Sequence, residues 1–549
     1  MGGQDSSGLE PKHQARRSGE PDLLPFEIPW FERHRAWGMP ILTAILLVGL
    51  ALVVFVTLRS VASDEPRNST RTTSTRAGAV DASSGPSAKP GTSAGSTPPA
   101  KLHSDAPASS TASSREQSSS SARGSTSSGD PSQESVPVGK LAQAENKVPA
   151  LLMHSPGVQS WERVRPEGAV STADRLMALP GFQATIKLDK GLDLDLWGGV
   201  PFFLLRQPVL ESVVVLHDSS AYDLDFTLLR GRVILTGRKE RATVRARLYL
   251  EKDAHETWDI VLHEGTEVAL QKIGERNDDV ARDAIGQTSP STQVTMVVLK
   301  GEASFQREHP HVLKVIVDPP GSDQAAAEPT TATWDNRNRQ LTKGTLSAEA
   351  SKEWDRNLPQ TEIAKEFATA SRQLESHLDD KSPDTVLRDG ANDASPASRI
   401  LSIFCLGSID DLPVLLDILA DCKESQVEKC VAAYLTLHCW LGQSAQNDRQ
   451  LFDTLLKRDV NEDDAVTVLR LLHGISDERR RDPATWQWLI GLLTAPNTTV
   501  AYLAYHHLYQ AVPQGRDIAY DPHADAKQKK LAAEAWRKII PDGKLPPAK

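Results

Sequence analysis

An uncharged apolar run close to the start of the chain, Met39–Leu58, most constrains how this sequence can fold. A helix of about 20 residues is about 30 Å long, which matches the hydrocarbon core of a bilayer. Trp30, Phe31 and Trp37 precede the run, as aromatic residues do at a membrane interface. A cleaved signal peptide usually has a shorter apolar region and a shorter leading part. We therefore expect a single uncleaved transmembrane helix over residues 37–59.

The segments on either side of this helix are polar. Residues 1–36 form a short tail, and residues 60–140 consist mainly of Ser, Thr, Ala, Gly and Pro, as in "SSTASSREQSSSSARGSTSSGD". Such a composition cannot bury enough apolar surface to fold, so it predicts a disordered stalk. Arg35 and Arg59 lie on opposite sides of the apolar run, so the Lys/Arg rule alone does not choose an orientation.

Short β-rich runs occupy residues 141–330. In "ATVRARLYL", apolar side chains alternate with Arg245 and Arg247, which is the period-two pattern of a half-buried strand. Glycines separate successive runs and mark turns or bulges. Regular short strands without long helices between them predict an all-β domain, either an antiparallel sandwich or a rolled sheet.

Two turns in this region carry a family resemblance. The "GTEV" stretch, Gly265–Val268, and the later "VLKGE" stretch, Val298–Glu302, are similar to the strand–turn–strand pattern of the FecR-like periplasmic domain. Members of that family are single-pass inner-membrane regulators that relay an external signal to a sigma factor. The resemblance implies a cytoplasmic N-terminus and periplasmic C-terminal domains. The 36 residues before the membrane are fewer than a helical anti-sigma domain needs.

The periodicity becomes helical over residues 345–549. Three amphipathic helix pairs begin near Asp411, Asp448 and Thr485, about 37 residues apart, which indicates an all-α array similar to HEAT repeats. Pro483 after Asp482 predicts a helix start with Asp as the N-cap. The whole chain resembles single-pass bacterial membrane proteins that join these two modules.

Composition and motifs exclude several function classes. A net charge of −10 argues against a nucleic-acid partner. The sequence has no nucleophile elbow, phosphate loop, zinc spacing or dinucleotide fingerprint, so we predict no enzyme activity, no cofactor and no metal. His506 and His507 point about 100° apart on a helix and cannot bind one metal together. The strand pair Asp193 and Asp195 shares a face, but such a pair is most often a solvated edge.

An arginine-rich stretch of the β domain is the candidate contact for an anionic partner. We predict that Arg232, Arg245 and Arg247 face such a partner, either a protein or a cell-envelope polymer. The alternative is that these arginines are the solvated side of a strand.

The cysteines fall within the helical region. An even number of cysteines in an exported protein indicates disulfides, while buried thiols packed between helices are the alternative. Two of them share one helix about 13 Å apart, so they cannot bond each other. The candidates are Cys405, Cys422, Cys430 and Cys439, of which Cys430 and Cys439 are that pair.

These observations together favour a membrane-anchored, non-catalytic binding or regulatory protein in envelope signal transduction. It would lie in the inner membrane and bind a protein or an envelope polymer. The alternative function is a cell-envelope glycan hydrolase or a carbohydrate-binding accessory protein, which needs an acid, base or nucleophile set that the sequence does not display.

Overall fold

The computed structural model describes residues from 135 onward, with gaps. The described residues are 135–143, 150–158, 160–199, 210–251, 254–275, 281–307, 330–347, 354, 361–423 and 426–547. The predicted tail, the predicted transmembrane helix and nearly all of the predicted stalk lie outside them. None of the helices within these ranges is long and apolar enough to cross a membrane.

Strands fill the first part of the described chain, followed by helices, as the sequence predicts. The strands are β1 (Pro137–Leu141), β2 (Leu151–His154), β3 (Glu162–Val164), β4 (Ala169–Ser171), β5 (Arg175–Ala178), β6 (Gln183–Leu188), β7 (Leu192–Trp197), β8 (Ser212–His217), β9 (Leu224–Gly237), β10 (Arg241–Glu251), β11 (Ala254–His263), β12 (Glu267–Glu275), β13 (Ser291–Lys300), β14 (Ala303–Arg307), β15 (Thr330–Asp335) and β16 (Leu341–Thr345). Thus β1 begins inside the predicted stalk, and β16 lies beyond the predicted end of the β domain at 330.

The strands form two layers that share one strand. Sheet A has the order β4-β1-β6-β7-β9-β12-β13-β15-β16, and sheet B has the order β3-β2-β5-β8-β9-β10-β11-β14. The pairs are antiparallel, apart from the parallel pair of β9 with β10. From β1 and β2 onward, each sheet adds most of its strands in chain order at one edge.

Strand β9 makes the corner between the layers. Its first half pairs with β8 and β10 in sheet B, and its second half pairs with β7 and β12 in sheet A. Gly231 lies at the bend with φ of +95°, and a Cβ there would lie 2.2 Å from the Glu211 carbonyl oxygen. Only glycine tolerates this backbone angle and this close approach. The long run that the sequence shows as one strand therefore belongs to both sheets.

The space between the sheets is the main hydrophobic core. Alternate residues of β10, including Val244, Ala246 and Leu248, point into it and are fully buried. Trp258 and Trp334 lie in the same core. The alternation in the sequence thus identifies the buried face of β10 correctly.

Helices follow from residue 362. They are α1 (Glu362–Leu378), α2 (Pro383–Gly390), α3 (Pro396–Ser408), α4 (Leu412–Ala420), α5 (Val427–Leu441), α6 (Ala445–Leu456), α7 (Glu462–Leu472), α8 (Asp477–Arg480), α9 (Pro483–Leu492), α10 (Thr498–Ala511) and α11 (Ala526–Ile539). Helix starts follow the capping rules: the Asp482 side chain accepts a hydrogen bond from Ala484 N, with Pro483 as the first helical residue. The predicted start of α9 is confirmed.

Helix α5 lies at the centre of the helical region. Four successive residues, Val431 to Tyr434, are all buried, and at about 100° per residue they cover the whole circumference of the helix. Helices α3, α4, α6 and α7 pack around it. Helix α10 packs against α7 and α9 and also against α4, so the third predicted helix pair contacts the first. In a strictly linear repeat array, each unit contacts only its neighbours. The contact between the third pair and the first therefore departs from a strictly linear array.

Candidate functional site: a groove between the sheets and the helices

A buried carboxylate joins the β region to the helical region. Glu211, just before β8, forms an ion pair with Arg230 of β9 and is 3% exposed. Its other contacts come from the helical region: Ser408 Oγ donates to Oε2 at 3.1 Å, and Gln443 Nε2 donates to Oε1 at 2.9 Å. Because every partner of a buried charge must be in place, Glu211 fixes how the two regions pack.

A second contact joins the regions at Arg163 of β3. Its guanidinium donates to Glu375 O and Glu375 Oε1 at 2.8 Å each, and to Asp379 Oδ1 at 2.5 Å. The Arg163 side chain is 7% exposed. Burial raises the pKa of Glu375, although the charge of Arg163 opposes that change. These contacts hold β3 against the end of α1.

An open groove of about 280 Å³ lies beside Arg163, with one wall from each region. The β wall comes from the start of β3, and the helical wall comes from the end of α1 and the start of α2. The lining residues are Ser160, Trp161, Glu162, Arg163, Arg165, Leu378, Asp379, Lys381, Ser382 and Pro383. Because the groove is open and not enclosed, it is better suited to one unit of an extended chain than to a buried ligand.

The groove combines one aromatic ring with exposed charge. Trp161 is half-buried, and its ring centroid lies 5.4 Å from that of His154. Arg165 is exposed on the β wall, and Lys381 on the helical wall forms a surface ion pair with Asp389. Ser382 precedes α2 without capping it and instead hydrogen bonds Thr385 Oγ1. The groove thus has an indole ring, a group suited to stacking, beside polar groups suited to hydrogen bonding.

The described residues that line the groove include the carboxylates Glu162 and Asp379, three cations and two serine hydroxyls, and no histidine or cysteine. No group of three or more His, Cys, Asp or Glu side chains in the described ranges could hold a metal ion.

The structure places Arg232 away from the surface. Its side chain is 4% exposed and lies between two indole rings, 4.1 Å from the Trp354 centroid and 5.1 Å from the Trp197 centroid. Gln271 Oε1 accepts a hydrogen bond from Arg232 Nε at 2.8 Å. The predicted partner contact at Arg232 does not fit this position, because Trp354, from the segment between the two regions, covers the side chain.

Arg245 and Arg247 lie on the outer face of sheet B, each beside an aspartate. Arg245 pairs with Asp259 at 2.8 Å, and its guanidinium carbon lies 4.5 Å from the Tyr222 ring centroid. Arg247 pairs with Asp225 at 2.8 Å. These carboxylates balance the positive charge, so the two arginines do not form a basic patch with Arg232.

The acidic pair on β7, Asp193 and Asp195, also has structural partners. Asp193 pairs with Arg238 at 2.9 Å, and Asp195 accepts a hydrogen bond from Thr185 Oγ1. These contacts stabilise neighbouring strands, and the two carboxylates do not converge on an open site.

Two of the four cysteines form a disulfide. Cys422, after α4, is bonded to Cys430 in α5, with Cα atoms 5.9 Å apart. Cys405 and Cys439 are free thiols. Burial raises the pKa of both, that of Cys439 to about 12, so both stay protonated and behave as packed apolar residues.

Sequence reasoning did not identify the groove. Arg163 pairs with Glu375 across 212 residues of chain, and no local spacing reveals a contact of that range. The available signal was the pair Glu375 and Asp379, four residues apart and so on one face of α1.

Comparison with known proteins does not assign the chain to a family. No family model matches it, and neither a curated protein nor a solved structure does.

Proposed function

We propose that this protein is a membrane-anchored, non-catalytic binding and regulatory protein whose β and helical regions lie outside the cytoplasm. The groove around Trp161 is its contact for one unit of an extended partner, a cell-envelope polymer. The observation that carries this proposal is that the two regions together build the groove. A partner in the groove would contact both regions at once, so its binding would affect both.

The geometry of the two FecR-like turns supports the family part of the proposal. Gly265, in the turn between β11 and β12, has φ of +72°, and Gly301, between β13 and β14, has φ of +75°. The turns touch each other, since Thr266 Oγ1 donates to Glu302 O at 3.0 Å. The residues that carry the resemblance thus meet at one end of the sandwich. Helices adjacent in the chain pack in pairs, α4 with α5, α6 with α7 and α9 with α10, which supports the HEAT-like part of the proposal.

The Cys422–Cys430 disulfide supports a location outside the cytoplasm. Disulfides persist in oxidising compartments such as the periplasm and are rare where thioredoxin and glutathione keep thiols reduced. Together with the proposed transmembrane helix over residues 37–59, the disulfide supports a periplasmic location for the folded regions.

Co-sedimentation with purified peptidoglycan tests the binding role. The full chain, held in detergent micelles, should pellet with the polymer, and Trp161→Ala should lower the bound fraction at least fivefold because it removes the stacking platform. Arg165→Ala should weaken binding less, and most clearly at low salt. The supernatant is assayed in parallel for released sugar and peptide fragments.

Trp488→Ala is the matched control. Trp488 is also half-buried and flanked by arginines, Arg470 and Arg479, but it lies on α9 and not among the residues that line the groove. Binding should survive this change. Equal bound fractions for the unmodified chain and Trp161→Ala would contradict the proposed contact, and protein-dependent release of fragments would establish the hydrolase alternative.

A further inference from the structure

A cluster of histidine and tyrosine rings fills the space where α5, α7 and α10 meet. The ring centroid of Tyr434 lies 4.3 Å from that of His506, 5.7 Å from that of His507 and 6.0 Å from that of His438. His506 is 6% exposed. His438 and His507 are half-buried, and the four rings together pack helix against helix.

Two of the histidines bind the end of α7. His438 Nδ1 lies 2.7 Å from Leu472 O, and His507 Nε2 lies 2.7 Å from Leu471 O. A carbonyl oxygen only accepts, so each of these ring nitrogens carries its proton and donates. The last carbonyls of a helix lack partners within the helix, and these two rings supply them. The cluster therefore joins α5 and α10 to α7.

Several charged and titratable groups face the cluster from neighbouring elements. Arg479 and Arg480 of α8 lie close enough to His507 to disfavour its protonation. Asp448 of α6 is buried, with Oδ1 3.2 Å from His473 Nε2. The remaining groups are Tyr502 and Tyr505 of α10, Cys439 of α5 and Glu211, which faces Cys439 from the β region.

Burial keeps the clustered histidines neutral. It lowers the pKa of His506 to about 3 and that of His507 to about 4, and it lowers the pKa of His438. The hydrogen bonds to Leu471 and Leu472 oppose the shift for His507 and His438 without reversing it. At neutral pH the three rings therefore pack without charge.

We propose that this cluster is an acid-sensitive switch: protonation of His438, His506 and His507 separates α10 from α5 and α7 when the surroundings become mildly acidic. The inference is independent of the groove and its partner. Once the rings reach water, each takes up a proton near pH 6.5, whereas the packed rings do not. The open form thus binds more protons than the closed form between about pH 6.5 and pH 4. In that window the open-to-closed ratio rises up to about tenfold per pH unit for each histidine.

Hydrogen exchange on the full chain in detergent micelles tests the switch. Amide protection, corrected for the intrinsic pH dependence of exchange, is measured at pH 7, 6 and 5 for α5, α10 and, as an internal reference, strands β12 and β13. We expect protection in α10 and α5 to fall at least tenfold per pH unit below 6.5, while β12 and β13 stay protected. Unchanged protection of α10 down to pH 5 would overturn the proposal.

Two variants separate the role of the histidines from general acid weakening. His506→Phe keeps an aromatic ring against Tyr434 but cannot take a proton, and His507→Gln keeps a donor for Leu471 O. Each should reduce the pH dependence of α10 protection by up to tenfold per pH unit. His523→Gln, at an exposed histidine, is the matched control and should leave it unchanged. A pH dependence that is the same in all four proteins would assign the opening to other groups and overturn the switch.

Discussion

Polar side chains are accommodated in opposite ways on the outer face of sheet B and around the middle of α5. On the outer face of sheet B, charged side chains form ion pairs with a side chain of opposite charge on a neighbouring strand. Arg245 pairs with Asp259, and Arg247 pairs with Asp225. Around the middle of α5, several of the polar groups are rings such as His506 and Tyr434, which pack without charge. A strand in a sandwich keeps one face toward water, where ions pair at little cost. The middle of helix α5, from Val431 to Tyr434, is covered on all sides, so a charge there would have no solvent.

This difference separates the pH ranges in which the two regions lose stability. Burial would raise the pKa of Asp259, but hydrogen bonds from Arg245 and Tyr222 lower it overall. Its contribution is therefore present above about pH 4 and is lost as the pH falls further. The pKa of the buried histidines is also lowered, but a histidine that opens to water takes up a proton near pH 6.5. The contribution of these rings to stability is therefore lost below about pH 6.5. Acid should weaken the helices first and the strands later.

Removing the link between the regions should have the largest effect. Glu211→Ala leaves Arg230 without its buried partner and removes the acceptor for Ser408 and Gln443, at a cost of about 3 kcal/mol. The two regions should then unfold in separate steps. Scanning calorimetry of the full chain at pH 7 should show one transition split into two.

Glu211→Gln serves as the control for this change. It keeps the shape and an acceptor oxygen, so it should weaken the chain without separating the transitions as widely. A single unaltered transition in Glu211→Ala would show that the regions are held together by contacts other than this carboxylate.

Opening the disulfide should have a smaller effect, limited to the helices. Cys422→Ser with Cys430→Ser removes a link that closes a loop of 8 residues. The chain-entropy model gives about 2.5 kcal/mol for a loop of this size. Urea unfolding followed by the helical signal should shift to a lower midpoint, while β12 and β13 keep their exchange protection. Loss of protection in those strands as well would contradict the separation of the two regions.

The smallest effect is expected on the outer face of sheet B. Arg245→Gln removes the ion pair with Asp259, and because both side chains are partly exposed we expect a loss of about 1 kcal/mol at low salt. The difference from the unmodified chain should shrink in 1 M salt, since screening weakens exposed pairs. A loss of several kcal/mol that salt does not change would show that the pair is buried more effectively than its exposure indicates.

Local rules predicted local structure well in this chain. Alternation identified the buried face of β10, and the capping rule identified the start of α9 at Pro483. The position of Arg232 could not be read from the same alternation. Arg232 lies on a face of sheet A that Trp354, 122 residues further along the chain, covers. The groove could not be predicted from local patterns either, because its two walls are distant in sequence.

The order of strands in the two sheets has a consequence for how the chain assembles. From β1 onward, sheet A adds β6, β7, β9, β12, β13, β15 and β16 in turn, and sheet B adds its strands in the same direction from β2. A chain that emerges from a ribosome or a translocation channel with its N-terminus first offers each new strand an edge already in place. No late strand has to open a pair that formed earlier. The sandwich can therefore be built progressively during synthesis or export, and it is nearly complete before the first helix has emerged.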